Sequence, residues 1–246
     1  MGRQCLPDAG AILRLRRAAD HRQGRPRLIE ELGDTPVVLL HGPRQCGKTT
    51  PAKTIEGYTY TTFDDEVQLA AARADPVGFV ADLPEQATLA EIQRVPELLL
   101  TLKAAVDQDR KPGRFLLTGS SNVLLAPKLS DSLAGRMEIL RLHPLARCEL
   151  AGKAPEFLDA IFEGRFRTRS QGRLGGDLLR YIVEGGYPAA LVRSTDRRRR
   201  NWYQAYMETL VQRDIRDLAR IRSLETLPRL LELAAGQTGQ VICAAG

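Results

Sequence analysis

Short apolar runs alternate with amphipathic segments through the middle of the chain, and this alternation predicts an α/β domain with a parallel sheet. Each run is only a few residues long and is bounded by Gly, Pro or polar residues, as buried strands are. The predicted strands cover residues 36–40, 58–63, 87–89, 114–117 and 136–142. A helix is predicted over 96–107, with Pro96 at its start, where the missing N–H costs nothing.

After residue 150 the pattern changes to almost continuous helical periodicity. The clearest helix is predicted over 201–222, where apolar side chains recur at spacings of three and four. The stripe consists of Tyr203, Met207, Val211, Ile215 and Leu218, and Trp202, Tyr206 and Leu210 widen it. We interpret this stripe as a core-facing surface and not as a platform for stacking bases.

Composition places the chain among globular proteins, because 43% of its 246 residues are hydrophobic and 27% are charged. No stretch approaches the roughly 18 apolar residues of a membrane span. The N-terminal apolar run is too short, and too soon followed by Arg14, for a signal peptide, so we expect a cytoplasmic protein. The four cysteines are far apart and form no CxxC pair, which argues against a zinc site or a disulfide framework.

The net charge of +6 is unevenly distributed along the chain. The flanks, residues 1–30 and 151–246, are basic, whereas residues 31–150 are slightly acidic. Two interpretations remain open for the basic flanks. They form either a solvated arginine-rich surface or a patch that binds nucleic acid weakly through its phosphates.

Residues 42–49 match the pattern G-x-x-x-x-G-K-[ST] of a phosphate-binding loop, between a predicted strand and a predicted helix. Glycines let consecutive N–H groups converge on phosphates, and the start of the helix adds positive potential. Lys48 is expected to reach the β- and γ-phosphates, and the Thr49 hydroxyl to ligate Mg²⁺. The sequence therefore predicts a site for ATP with Mg²⁺. The predicted nucleotide contacts are Gly42, Pro43, Arg44, Gln45, Cys46, Gly47, Lys48, Thr49, Thr50 and Ser120.

Cys46 occupies a variable position of this loop, as a small filling residue or, alternatively, as a redox switch. Ser120 follows the fourth predicted strand, at the edge where α/β sheets bind ligands, and is our candidate for sensing the γ-phosphate. Arg136 is interpreted either as an arginine finger that stabilises transferred charge or as a member of a surface ion pair.

The second nucleotide motif is incomplete. P-loop ATPases usually place an Asp at the end of a later strand to hold Mg²⁺ through water, often followed by a Glu that activates the attacking water. Here Glu91 stands at the position of that catalytic Glu, but Ala90 stands at the position of the Asp. Asp64 and Asp65 either help to hold the metal or are loop and cap residues. We therefore expect nucleotide binding with slow or absent hydrolysis.

Several segments together resemble a family of uncharacterised prokaryotic AAA+-type ATPases. They are VVLLHGPRQCGKTT, EIQRVPELLLTLKAAVDQDRKPGRFLLTGSSN, LAGRMEILRLHPLARCEL, GGDLLRYIVEGGYPAAL and WYQAYMETLVQRDIRDLARI. The resemblance implies a RecA/AAA+-like P-loop NTPase with a parallel sheet and helices on both faces. The resemblance also implies that a mainly helical or winged-helix-like region and a C-terminal domain of unknown function then follow.

The resemblance also suggests a domain organisation. We expect an N-terminal helix and basic connector over 1–30, the P-loop ATPase domain over 31–150, and a helical, truncated C-terminal domain over 151–246. Family members usually have Asp-Glu at positions 90–91 and continue into a nuclease-like region. The chain therefore resembles a truncated member, and no nuclease activity is carried over to it.

Three hypotheses for function follow from these observations. The first is an AAA+-type ATPase that hydrolyses ATP to ADP and phosphate, or an ATP-binding relic of one. The second is a nucleotide-gated module that binds nucleic acid with its basic C-terminal half. The third is an interaction protein, engaging a protein partner or forming a homo-oligomer, in which ATP is a structural ligand. No membrane partner is expected.

Overall fold

The computed structural model describes residues 22–120, 133, 135–167, 175–210 and 226–238, together with residues 10, 13, 15 and 18. The chain divides into two compact units, residues 1–194 and residues 195–246. No helix in the described ranges is long and apolar enough to cross a bilayer.

The first unit is built on a five-stranded sheet in which each strand pairs in parallel with its neighbours. The spatial order is β2-β3-β4-β1-β5, so β4 lies between β1 and β3. The strands are β1 (Val37–His41), β2 (Thr59–Thr62), β3 (Ala87–Ala90), β4 (Phe115–Gly119) and β5 (Met137–Arg141). The predicted parallel sheet is therefore confirmed.

Helices cover both faces of this sheet and create two apolar layers. Leu28 and Leu32 of α1 (Gly24–Asp34) and Ala52 of α2 (Thr49–Thr54) pack on the face formed by the side chains of Val38, Leu40 and Leu116. The opposite face, which includes Val37, Leu39 and Leu117, is covered by α3 (Glu66–Ala74), α4 (Pro76–Ala81) and α5 (Leu98–Gln108). Because side chains alternate along a strand, each central strand contributes to both layers.

Capping residues fix the helix starts on this second face. The Asp65 side chain accepts a hydrogen bond of 2.8 Å from the backbone N–H of Val67, which caps α3. Asp75 accepts one of the same length from Gly78 N–H and caps α4, with Pro76 at its first position. The interpretation of Asp65 as a cap residue is confirmed. Asp64 accepts from Arg94, 3.3 Å from the Nη1 atom.

The regular secondary structure in the rest of the first unit is helical, as predicted, in the part of the chain that the structure describes. Its helices are α6 (Arg147–Leu150), α7 (Phe157–Phe162), α8 (Gly176–Glu184) and α9 (Pro188–Leu191). The second unit contains α10 (Asp196–Thr209) and α11 (Leu227–Gly236).

Helix α10 begins earlier than the predicted residue 201. The side chain of Thr195 caps it by accepting from Arg198 N–H at 3.3 Å, and arginines 197–200 are good helix formers. The ring of Trp202 stacks on that of Tyr206 with centroids 5.1 Å apart, and Tyr206 is buried, which supports a core-facing stripe. The predicted stripe positions Val211, Ile215 and Leu218 lie outside the described residues.

Helix α5 offers a matched test of this packing. Leu102 is fully buried, whereas Leu100 is 57% exposed on the same helix. We expect Leu102→Ala to lower the free energy of unfolding by about 2–5 kcal/mol, because it removes buried methyl groups and leaves a cavity. Leu100→Ala should change it by less than about 0.5 kcal/mol. Urea denaturation followed by circular dichroism measures both, and equal losses would contradict the assignment of the buried face.

Candidate nucleotide-binding site

The carboxyl ends of the strands bring most of the predicted site together. His41, at the end of β1, pairs with Gly119 of β4 and Arg141 of β5, and Ala90 of β3 pairs with Thr118 of β4. The loop at 42–49, Glu91 and Ser120 therefore all leave the sheet at the same edge. Ser120 is buried there, with 3% of its surface exposed.

Arg136 lies at the opposite edge, immediately before the amino end of β5. Its guanidinium binds both carboxylate oxygens of Asp107, with Nε 2.5 Å from Oδ1 and Nη2 3.1 Å from Oδ2. This hydrogen bonding lowers the pKa of Asp107. The surface ion-pair interpretation is thus confirmed. An arginine-finger role would place Arg136 against the loop of a second copy, and it stays a prediction.

The two glycines of the phosphate-loop pattern are required for different reasons. A Cβ atom on Gly42 would lie 2.1 Å from the carbonyl oxygen of Leu142, so no side chain fits where the loop leaves β1. Gly47 has φ of 97°, which a side chain would strain. Gln45 adopts a left-handed φ of 59° between them, and Cys46 N–H bonds to the carbonyl of Pro43. The loop is therefore tightly turned along its length.

Lys48 folds back into the hollow of this loop. Its Nζ atom donates to the carbonyl oxygens of Gly42 at 3.0 Å and of Pro43 at 2.9 Å, and only 7% of the residue is exposed. Thr49 and Thr50, the first residues of α2, are exposed. The loop therefore holds one buried ammonium group in its hollow, and exposed threonines follow it directly in the chain.

This donor set fits a nucleotide with Mg²⁺. Among the residues whose structure is described, no group of three or more His, Cys, Asp or Glu side chains could hold a metal. Mg²⁺ does not need such a cage, because it is commonly bound by few protein ligands together with waters and substrate phosphates. The Thr49 hydroxyl is the group that could supply the protein ligand.

His41 is a part of the site that sequence reasoning missed. It is 6% exposed, and its Nδ1 atom is buried without a hydrogen-bond partner among the described residues. Burial, followed by the charges of Arg141, Lys48 and His143, lowers the pKa of this imidazole and so favours its neutral form. The signal in the sequence was only its place directly before Gly42.

Glu91 follows β3 in a left-handed conformation, with φ of 60° and ψ of 43°. Its Oε2 atom accepts a hydrogen bond of 2.5 Å from the side-chain amide of Gln93. Within the described ranges, Gln45 and Glu91 are the non-glycine residues with positive φ, and both lie at this edge of the sheet. Such conformations concentrate at functional sites, which supports the placement of the site here.

Ala90 is buried between Thr62 of β2 and Thr118 of β4. Its side chain lies on the same face as that of Thr88, whose hydroxyl bonds to the carbonyl of Ala52 in α2 at 3.4 Å. Position 90 therefore faces the helix that begins at Thr49. No carboxylate is available from this position, as the sequence indicated.

A buried ion pair contacts the backbone of the loop, and sequence reasoning missed it as well. Arg22 binds Glu149, with Nη1 2.9 Å from Oε2, and both side chains are 5% exposed. Arg22 also donates to the carbonyl of Cys46 in the loop and to that of His143. The two residues are separated by 127 positions in sequence, so no local pattern could have indicated the pair.

The helical segment around α9 also packs on the loop. The Cγ atom of Pro188 lies 3.8 Å from where a Cβ on Gly47 would stand. Leu145 N–H donates to the carbonyl of Gly186 at 2.8 Å, and a Cβ on Gly186 would collide with the Leu145 carbonyl. The sequence GGYP at residues 185–188 has no local pattern that predicts its contact with the loop.

The order of the parallel strands, the glycine-bounded loop and its lysine are those of an AAA-type P-loop fold. Residues 34–151 match the family described as an AAA domain, and residues 175–245 match a domain of unknown function. The chain thus joins an AAA domain to a domain of unknown function, as the resemblance implied.

The chain is similar in sequence to proteins of Mycobacterium and Aeropyrum. Uncharacterised proteins of Mycobacterium tuberculosis and Mycobacterium bovis are each 30% identical over 228 residues, covering 92% of this chain and 46% of the relative. A proteasome-activating nucleotidase of Aeropyrum pernix is 29% identical over 217 residues, covering 67% of this chain and 49% of that protein. The chain spans about half the length of these curated relatives.

Among solved structures, a Walker-type ATPase of Pyrococcus abyssi matches with a TM-score of 0.46 and 15% identity. The match covers 89% of this chain and 76% of that chain.

The environment of Cys46 predicts a poorly reactive thiol. It is fully buried and its Sγ atom lies 3.5 Å from the Leu142 carbonyl, and burial raises its pKa despite the nearby charges of Lys48 and Arg22. At pH 7.5 we expect iodoacetamide to modify Cys46 more slowly than the half-buried Cys148, by about tenfold or more, since both access and thiolate fraction are low. The rate should rise as the pH increases above 9.

Peptide mapping by mass spectrometry measures the two rates, and urea-unfolded protein is the control in which both thiols should react alike. Equal rates in the folded protein would favour the redox-switch interpretation of Cys46.

Proposed function

We propose that this chain binds ATP with Mg²⁺ on the loop at residues 42–49 and hydrolyses it slowly or not at all. The observation that carries the proposal is the buried ammonium of Lys48, held inside a glycine-bounded loop at the carboxyl edge of a parallel sheet. Membership of the AAA domain class supports nucleotide binding.

The residues around the loop have distinct proposed roles. Gly42 and Gly47 shape the backbone so that its N–H groups face the phosphates, and Lys48 supplies the positive charge. The Thr49 hydroxyl ligates Mg²⁺, which, when bound, neutralises charge on the phosphate oxygens. Ser120 senses the terminal phosphate from the end of β4, and Glu91 orients water.

The first test of this proposal is the removal of the lysine. We expect Lys48→Ala to weaken ATP binding by about one to two decades, because a charge-assisted phosphate contact is worth about 1.5–3 kcal/mol. Isothermal titration calorimetry measures the affinity. Lys111→Ala is the matched control, because Lys111 is exposed beyond the amino end of β4 and pairs with Glu85. Equal ATP affinity for wild type and Lys48→Ala would end the proposal.

Hydrolysis depends on a different part of the site. Ala90 faces the α2 side from a buried strand, where it offers no ligand for a metal at Thr49. Binding relies on the loop and is independent of Ala90, but the chemical step requires the metal to be held while charge develops on the phosphates. A loosely held metal therefore affects the transition state more than the ground state.

We expect Ala90→Asp to raise kcat for ATP hydrolysis by about 10²–10³ while leaving the ATP affinity nearly unchanged. The gain would come from a carboxylate placed between Thr62 and Thr118, facing the helix that carries Thr49. Steady-state phosphate release measures kcat, and calorimetry measures affinity.

Ala90→Asn is the matched control, since it adds a side chain of the same shape without the charge. If wild type already turns over near a typical 10 s⁻¹, the metal is held by another residue. If Ala90→Asp binds ATP but stays inactive, the defect lies elsewhere than at position 90.

A second candidate function is nucleic-acid binding by the basic C-terminal half. The supporting observation is that Arg197, Arg198 and Arg200 are exposed along α10, whereas Arg199 pairs with Asp196. Contacts of this kind are to phosphates, so log K should fall with log salt by about 0.9 per neutralised phosphate. Fluorescence anisotropy with labelled duplexes at several salt concentrations tests this. Tight or sequence-selective binding at high salt would contradict weak phosphate-only contact.

A further inference from the structure

We propose that Arg22 is a positioning residue for the phosphate loop, fixing the carbonyl of Cys46 so that the N–H of Gly47 points into the hollow of the loop. The inference rests on the proposed nucleotide-binding function of residues 42–49. In this proposal, the segment before α1 helps to set the backbone conformation of the loop.

The guanidinium of Arg22 serves three acceptors at once. Its Nη2 atom donates to the Cys46 carbonyl at 3.1 Å and to the His143 carbonyl, and its Nη1 atom lies 2.9 Å from Glu149 Oε2. The group is planar and carries five N–H donors in fixed directions. It therefore determines where the Cys46 carbonyl lies relative to the segment after β5.

Glu149 is itself held in place, so the guanidinium cannot turn away. Its Oε1 atom accepts from Gln23 N–H at 2.8 Å, and its Oε2 atom accepts from Ala146 N–H at 2.7 Å. Both charged side chains are 5% exposed. A buried charge that loses its partner is strongly unfavourable, so this pair keeps one arrangement.

The geometry of the peptide bond transmits this arrangement to the phosphate side. The described residues contain no cis peptide bond, and in a planar trans peptide the C=O and the following N–H point in opposite directions. With the Cys46 carbonyl directed at Arg22, the Gly47 N–H is directed to the other side of the loop. Gly47 then turns with φ of 97° into Lys48.

The same segment after β5 also supports the first half of the loop. Gly42 packs against the Leu142 carbonyl, and the Cys46 thiol lies 3.5 Å from that same oxygen. Residues 142–149 thus contact the loop directly at Gly42 and at the Cys46 side chain, and through Arg22 at the Cys46 carbonyl. Arg22 is the charged link in this support.

The test uses the full chain and two probes, MgATP and inorganic tripolyphosphate, which contacts the loop without a base or ribose. Arg22→Lys keeps the charge but loses the planar fork. We expect it to weaken both probes by the same factor, about tenfold, because one phosphate-facing N–H is no longer held. Arg27→Lys is the matched control, since Arg27 is exposed on α1 and pairs with Glu31, and it should leave both affinities unchanged.

Chemical rescue separates positioning from a general loss of folding. In Arg22→Ala, millimolar guanidinium chloride should restore tripolyphosphate affinity to within a few-fold of wild type, whereas ammonium chloride at equal ionic strength should not. Near-UV circular dichroism reports the folded fraction, and affinities are expressed per folded protein. If Arg22→Ala does not fold, Arg22→Lys alone decides.

The outcomes distinguish this inference from the proposed function. If wild type and Arg22→Lys bind tripolyphosphate equally, or if Arg22→Lys lowers only the melting temperature, the positioning role is overturned while nucleotide binding stands. If wild type binds neither probe, both proposals fall. A shared loss for both probes, with Arg27→Lys unaffected, supports the positioning role.

Discussion

Strand β1 pairs in parallel with β4 on one side and with β5 on the other. The register of this pairing determines where each following segment leaves the sheet. Because His41 stands level with Gly119 and Arg141, the loop starts beside Ser120 and beside Leu142. Leu142 N–H then donates to the His41 carbonyl at 2.7 Å, which continues the pairing beyond the strand. The close approach of the Leu142 carbonyl to Gly42 follows from this register, and so does the contact of the same carbonyl with the Cys46 thiol.

The fold and the loop could be predicted from sequence because both have local signatures. A buried parallel strand is a short apolar run, and residues 36–40 and 114–117 are such runs. The phosphate loop has a fixed spacing of glycines and lysine. By contrast, Arg22 lies in an Arg/Gly/Pro-rich stretch that reads as a linker, and its partner Glu149 is distant in sequence. An ion pair between distant segments has no periodicity, so only the folded chain reveals it.

Two further differences between the sequence-based predictions and the structure also have physical causes. The sequence pattern predicts a start of α10 that is too late, because a run of arginines has no apolar periodicity. The capping residue Thr195 and the favourable helix propensity of arginine are sufficient for the helix to begin earlier. Arg136 could not be assigned an environment because its partner Asp107 is contributed by the end of α5. Sequence reasoning identified the residue types at the site but not what surrounds them.

The left-handed backbone at Glu91 leads into buried residues. A left-handed residue turns the chain from β3 directly into the 3-10 turn Ile92–Arg94, and Ile92 and Val95 are both buried. This conformation costs about 1–3 kcal/mol in a non-glycine residue, which the burial of Ile92 and Val95 offsets. The buried residues after Glu91 therefore hold the backbone from which its carboxylate extends. The alanine at position 90 does not alter this support.

The internal bonds of Lys48 have a consequence for anion selectivity. On the proposed site, an incoming anion competes with the carbonyls of Gly42 and Pro43 for the ammonium, so binding there is an exchange of partners and its enthalpy is only the difference between them. A small monovalent ion such as chloride offers a single contact in return for leaving water. A polyphosphate offers several charged oxygens to the ammonium and to the loop N–H groups together. On the proposed site, the carbonyls of Gly42 and Pro43 therefore favour a polyphosphate over an anion that makes a single contact.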